Sequence, residues 1–95
     1  MLEALDHVLL EEPVTADEGV TLGYPTGRRI ADQTLRVGSG AQIRSGTVVY
    51  VGTTIGRGLQ TGHNVVIREE NVIGDNVGIW SNSVIDYGCR IGNNV

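Results

Sequence analysis

Val37-Gly-Ser-Gly-Ala-Gln-Ile43-Arg-Ser-Gly-Thr-Val-Val49-Tyr-Val-Gly-Thr-Thr-Ile55 states one six-residue phrase three times, and the phrase runs on to residue 95. Counting in sixes from Ile55 gives Thr61, Ile67, Ile73, Ile79, Ile85 and Ile91. Nine of the ten anchors from Val37 to Ile91 are Ile or Val, so the six-residue period is a structural rule of the chain. An amphipathic helix would repeat every 3.6 residues and a half-buried strand every 2, and neither generates this series. A fixed six-residue repeat is the mark of a parallel β-helix, in which short strands wind into stacked coils.

The other places in the hexad fit that geometry. Four residues after each anchor stand Ala41, Thr47, Thr53, Leu59, Val65, Asn71, Val77, Ser83, Cys89 and Val95, small or medium side chains for a second inward slot. Three residues after each anchor, nine of ten positions are Gly or Asn, the exception being Glu70. Those two residues tolerate the positive φ of a sharp corner. Each hexad therefore encodes one flat side and one corner. Three sides close a triangular coil of eighteen residues, which is why Gly38, Gly56, Gly74 and Gly92 recur at that interval.

The stretch from Val37 to Val95, with these anchors and corners, resembles the hexapeptide-repeat acyltransferases. The resemblance implies an all-β, left-handed parallel β-helix in the form of a triangular prism; most parallel crossovers are right-handed. The run Thr61-Gly-His-Asn-Val-Val-Ile-Arg-Glu-Glu-Asn71 resembles enzymes that acylate an amino or hydroxyl group of a nucleotide-linked sugar. This resemblance also implies an acetyl-CoA or other acyl-CoA co-substrate, a homotrimer with active sites between prisms, and a histidine as base. A γ-class carbonic anhydrase shares the fold but needs three histidines on zinc, and this chain has only His7 and His63. No metal is expected. The alternative outside enzymology is a non-catalytic β-helix scaffold or assembly module.

Composition narrows the classes further. Ninety-five residues make one small domain, and a net charge of −4 argues against a nucleic-acid partner. No apolar run approaches the eighteen residues of a membrane span, and the start lacks the pattern of a secretory signal. A cytoplasmic setting is expected. The single cysteine, Cys89, falls in an inward slot and reads as a small buried hydrophobe. Residues 1–36 break the hexad and read as an irregular N-terminal segment, with residues 37–95 as the β-helix. Leu2, Leu5 and Leu9 suit a helix ended by Pro13, and His7 to Leu10 suit a strand; the two remain open. Gly23 to Gly27, with Arg28 and Arg29 after it, reads as a solvated turn. Val95 falls mid-side, so the chain is expected to be a fragment of a longer enzyme, truncated at its C-terminal end.

Residues eighteen apart should stack about 4.8 Å from one another, the strand spacing. Ser45, His63 and Ser81 form one such column beside a corner, with Asn64 and Asn82 next to it. Imidazole is the side chain already tuned to neutral pH, which makes His63 the candidate general base. Glu69 or Glu70 is the candidate carboxylate to orient it. Asn64, Ser81, Asn82 and Trp80 are the candidate substrate contacts. Trp80 is an outward indole stacked over Gly62 and Arg44, and it calls for cover by a neighbouring subunit or a stacked ring. Thr61 and Asn71 interrupt the inward slots and read as internal hydrogen-bonding rungs. Arg57 under Asp75, and Arg68 under Asp86, read as ion pairs between coils.

Overall fold

In the computed structural model, which describes residues 3, 4 and 7–95, every regular element is a short strand. The chain opens with β1 (Glu3–Ala4), β2 (Val8–Leu10), β3 (Val14–Ala16) and β4 (Thr21–Tyr24). Next come β5 (Leu35–Val37), β6 (Ala41–Ile43), β7 (Val48–Tyr50), β8 (Thr54–Ile55) and β9 (Gln60–Thr61). The last are β10 (Val66–Ile67), β11 (Val72–Ile73), β12 (Gly78–Ile79), β13 (Val84–Ile85) and β14 (Arg90–Ile91). They form three parallel sheets, β1-β4-β7-β10-β13, β2-β5-β8-β11-β14 and β3-β6-β9-β12. This is a left-handed parallel β-helix with a triangular section, one sheet to each face.

The register between β5 and β14 is eighteen throughout: Val37 pairs with Ile55, Ile55 with Ile73, and Ile73 with Ile91. Alternation along each strand turns the anchors inward and their neighbours out. The anchors from Val37 to Ile79 are buried, Thr61 among them, while Ile85 and Ile91 are half-buried. Each buried Ile or Val contributes about 1.5–3 kcal/mol relative to an exposed one. All ten corner residues from Gly40 to Asn94 have positive φ, between 57° and 84°, and Glu70 adopts 60° like its Gly and Asn counterparts. The glycine after every third anchor has a different cause. A Cβ on Gly38 would stand 2.6 Å from the Gly56 carbonyl oxygen, so close coil-to-coil approach demands a bare Cα there.

The inward polar groups are satisfied between coils. Thr61 Oγ1 accepts the Arg44 N–H at 3.1 Å. Asn71 donates from Nδ2 to the Arg68 carbonyl at 2.9 Å and accepts the Cys89 N–H at 2.7 Å, which makes it a rung joining two coils. Thr53 completes this corner, donating to the same Arg68 carbonyl at 2.6 Å and accepting the Asn71 N–H at 3.3 Å. Buried polar side chains thus fix the corners that Gly and Asn allow.

The segment before residue 37 differs from the irregular stretch expected of it. Strands β2, β3 and β4 pair with β5, β6 and β7, so the sheets reach back well before residue 30. Their register is 27 rather than 18 at Val8–Leu35, Val14–Ala41 and Thr21–Val48, because one extra residue sits at the irregularity between Leu22 and Tyr24 and eight more lie between β4 and β5. That insertion destroys the period while leaving the pairing intact. Val8 to Leu10 is a strand rather than part of a helix, and Pro13 sits after it with its carbonyl accepting the Gly40 N–H at 2.7 Å. Leu2 and Leu5 lie outside the described residues.

Candidate functional site

The site is built on the corner between β9 and β10. Thr61 turns inward, Gly62 N–H donates to the Ile79 carbonyl, and His63 emerges one residue before the positive-φ Asn64. The imidazole is exposed and held from one side: Ser45 Oγ lies 2.8 Å from His63 Nδ1. The backbone is fixed from the other side, where His63 N–H donates to Ser81 Oγ at 2.8 Å. Asn64 N–H donates to the Ser45 carbonyl at 3.0 Å and Asn82 N–H to the His63 carbonyl at 2.9 Å, so the column is tied rung by rung. A histidine that donates Nδ1–H to a hydroxyl keeps an Nε2 lone pair available to abstract a proton.

His63 and Ser81 line a surface groove of about 660 Å³ together with Arg44, Gln60 and Trp80. Its floor includes Gly62 and Gly78, and the space in front of Gly78 is open. Trp80 is 88% exposed, whereas the other exposed large hydrophobics among the described residues reach at most 68%. Among the candidate contacts, Ser81 and Trp80 are in the groove with His63. Asn64 and Asn82 form the adjoining corner with φ of 58° and 65°, and their backbone N–H groups serve the column.

Glu69 and Glu70 stand at the next corner, between β10 and β11, and do not orient His63. Six residues further on is one full side of the prism. Glu69, with a fully buried side chain, receives Arg28 Nη1 at 2.9 Å and Arg68 Nε at 3.2 Å. Burial is the largest influence on its carboxyl and pushes it up, yet hydrogen bonds from its own N–H, Arg28, Thr26 and Arg68 outweigh that and hold it below the usual range. Glu70 lies 3.7 Å from Arg28 Nη2. The Arg28 guanidinium also stacks 3.8 Å above the Tyr87 ring. Arg28 therefore belongs to a clamp rather than to the solvated turn read from sequence. Its partner is 41 residues away and no period connects them.

Of the two expected ion pairs, Arg68 and Asp86 meet at 3.7 Å. Asp75 instead accepts the Arg57 backbone N–H at 2.8 Å, and Asn93 serves Asp75 N–H in the same way one coil on. Short side chains at this corner reach the neighbouring backbone before they reach a guanidinium. Among the described residues, no group of three His, Cys, Asp or Glu is placed to hold a metal ion. Neither the family models nor the curated proteins compared with the chain give a match.

Proposed function

We propose that the chain acts as an acyl-CoA-dependent transferase, with His63 as general base and an amino or hydroxyl group of a nucleotide-linked sugar as acceptor. The observation that carries this reading is the Ser45–His63 contact of 2.8 Å at the rim of the groove. Ser45 accepts a hydrogen bond from Nδ1–H, and Nε2 then removes the acceptor's proton as its oxygen or nitrogen attacks the thioester carbonyl. The same nitrogen, now protonated, gives that proton to the thiolate as the C–S bond breaks. Arg44 supplies a positive charge for a phosphate of either substrate, and Trp80 an apolar surface beside the reacting groups.

A homotrimer is part of the proposal. An outward valine column, Val48, Val66 and Val84, runs along one face, with Val84 63% exposed. Single exposed apolar residues are ordinary, but an aligned column along one face supports self-association. Sedimentation equilibrium should give three chains per particle, and a stable monomer at micromolar concentration refutes this part.

The test of the chemistry is thiol release from acetyl-CoA, measured with amino- and hydroxyl-bearing sugar nucleotides as acceptors. Transfer by the wild-type chain that falls by about 10²–10⁴-fold in His63→Ala supports the base. Equal turnover in both proteins removes it.

A further inference from the structure

We propose that the slot between Arg44 and Trp80, over Gly62, binds a nucleobase. This deepens the acyl-transfer reading and rests on it for the choice of ligand. The three residues share one column on successive coils, fixed by the pairing of Gln42 with Gln60 and of Gln60 with Gly78. Arg44 and Trp80 are thus two strand spacings apart, about 9.6 Å, with a residue lacking a side chain between them. A planar ring seated over Gly62 lies about 4.8 Å from each neighbour. That is within the 4.5–7 Å range of stacked rings and the roughly 6 Å reach of a guanidinium over a π face.

The lining fits a base better than it fits a lipid or an apolar partner surface. Gln60 carries both a donor and an acceptor, as recognition of a base edge requires, and it borders the slot with Gly78. Arg44 has no ion-pair partner among the described residues, so its charge is free for a ring or the attached phosphate. Gly62 cannot carry a side chain in any case, since a Cβ there would run into Ser81. Gly78 has no such constraint: its surroundings are open, and a side chain at this outward strand position would occupy the slot's edge. The base belongs either to the acceptor's nucleotide or to the adenosine end of the acyl carrier, and the chemistry of stacking is common to both.

Trp80 is the chain's one tryptophan, so its fluorescence reports the slot directly. We expect uridine monophosphate or adenosine 3′,5′-bisphosphate to quench it saturably, whereas ribose 5-phosphate leaves it unchanged. The nucleotide that quenches identifies the source of the base. Arg44→Ala should weaken binding roughly 5–10-fold, the scale of one cation–π contact. Gly78→Val, which adds bulk where the backbone tolerates it, should abolish quenching without loss of fold by circular dichroism. His63→Ala should keep the quench while losing transfer, which separates this inference from the catalytic one. Three results overturn it: no quench by either nucleotide at millimolar concentration, equal quench by ribose 5-phosphate, or a ligand-free blue shift that grows with protein concentration. The last would mean that a second copy covers the indole.

Discussion

Two neighbouring corners of one coil, His63–Asn64 and Glu69–Glu70, have nearly the same backbone and opposite fates. Their turning residues share φ values of 58° and 60°. Both come after an inward anchor by the same count. Yet the His63 side chain is exposed, whereas the Glu69 side chain is fully buried. The difference comes from the eight extra residues after β4, which leave the coil along the second corner and lie back across it. Ile30 and Val51 are buried there, and Arg28 reaches the carboxylate. The hexad makes every corner alike, and the insertion decides which one stays open. An open corner can offer an imidazole to a substrate; a covered one can hold the fold together.

The sharpest way to break this contrast is to exchange function for stability at each corner. His63→Ala should cost about 10²–10⁴ in turnover but stay within about 0.5 kcal/mol in urea unfolding, because an exposed side chain gives up little on removal. Glu69→Gln should show the reverse, with turnover changed no more than a few-fold. If Glu69→Gln also abolishes transfer while the fold holds, the two corners are one site and the division is wrong.

Next in size is the clamp. Glu69→Ala leaves Arg28 and Arg68 without their shared carboxylate and opens a small void. Breaking a fully buried pair costs more, but both arginines are partly exposed, at 39% and 34%, and can turn to water. A loss of about 1–3 kcal/mol is expected, read from denaturant midpoints at constant slope. A loss below about 0.5 kcal/mol would show that Ile30 and the Arg28–Tyr87 stacking hold the loop without the Glu69 carboxylate.

Acid should loosen the same corner and spare the other fold contacts. The Glu69 carboxyl titrates below its unfolded value in the native chain. Its contribution is therefore complete above the unfolded value, about 4.3, and is lost as pH falls through the lower native value. Amide NMR shifts of residues 26–32 should move on acidification below about pH 4, ahead of those in β5 to β12. Simultaneous movement of both sets would mean that the clamp has no separate titration.

The same two corners explain what sequence could and could not reveal. Anchors, inward slots and turning residues obey a local count, so even Glu70 could be assigned to a corner against its chemical type. The stacking of Ser45, His63 and Ser81 came from the period alone, since eighteen residues return the chain to the same edge. The first coil was hidden because its partners lie 27 residues on. Strands of two to four residues carry too little pattern to be seen without a period. Burial of Glu69 was hidden for a related reason: Arg28 meets it through a loop whose path no repeat dictates.

Glu70 offers the finest test, because two small effects oppose each other there. A left-handed conformation costs an ordinary residue about 1–2 kcal/mol, and Asn pays less of it. In return, Glu70 has its contact with Arg28 at 3.7 Å, where both side chains are partly exposed, worth about 0.2–1 kcal/mol. Glu70→Asn should therefore stabilise the chain by about 0.5 kcal/mol at low salt. The gain should grow in high salt, which screens the ion pair of the parent while leaving the backbone cost untouched. Urea unfolding at two ionic strengths measures both numbers. A destabilisation above about 1 kcal/mol at either salt would place the clamp on Glu70 rather than on the buried Glu69. The strained corner would then be part of the fastening, not a cost the fastening tolerates.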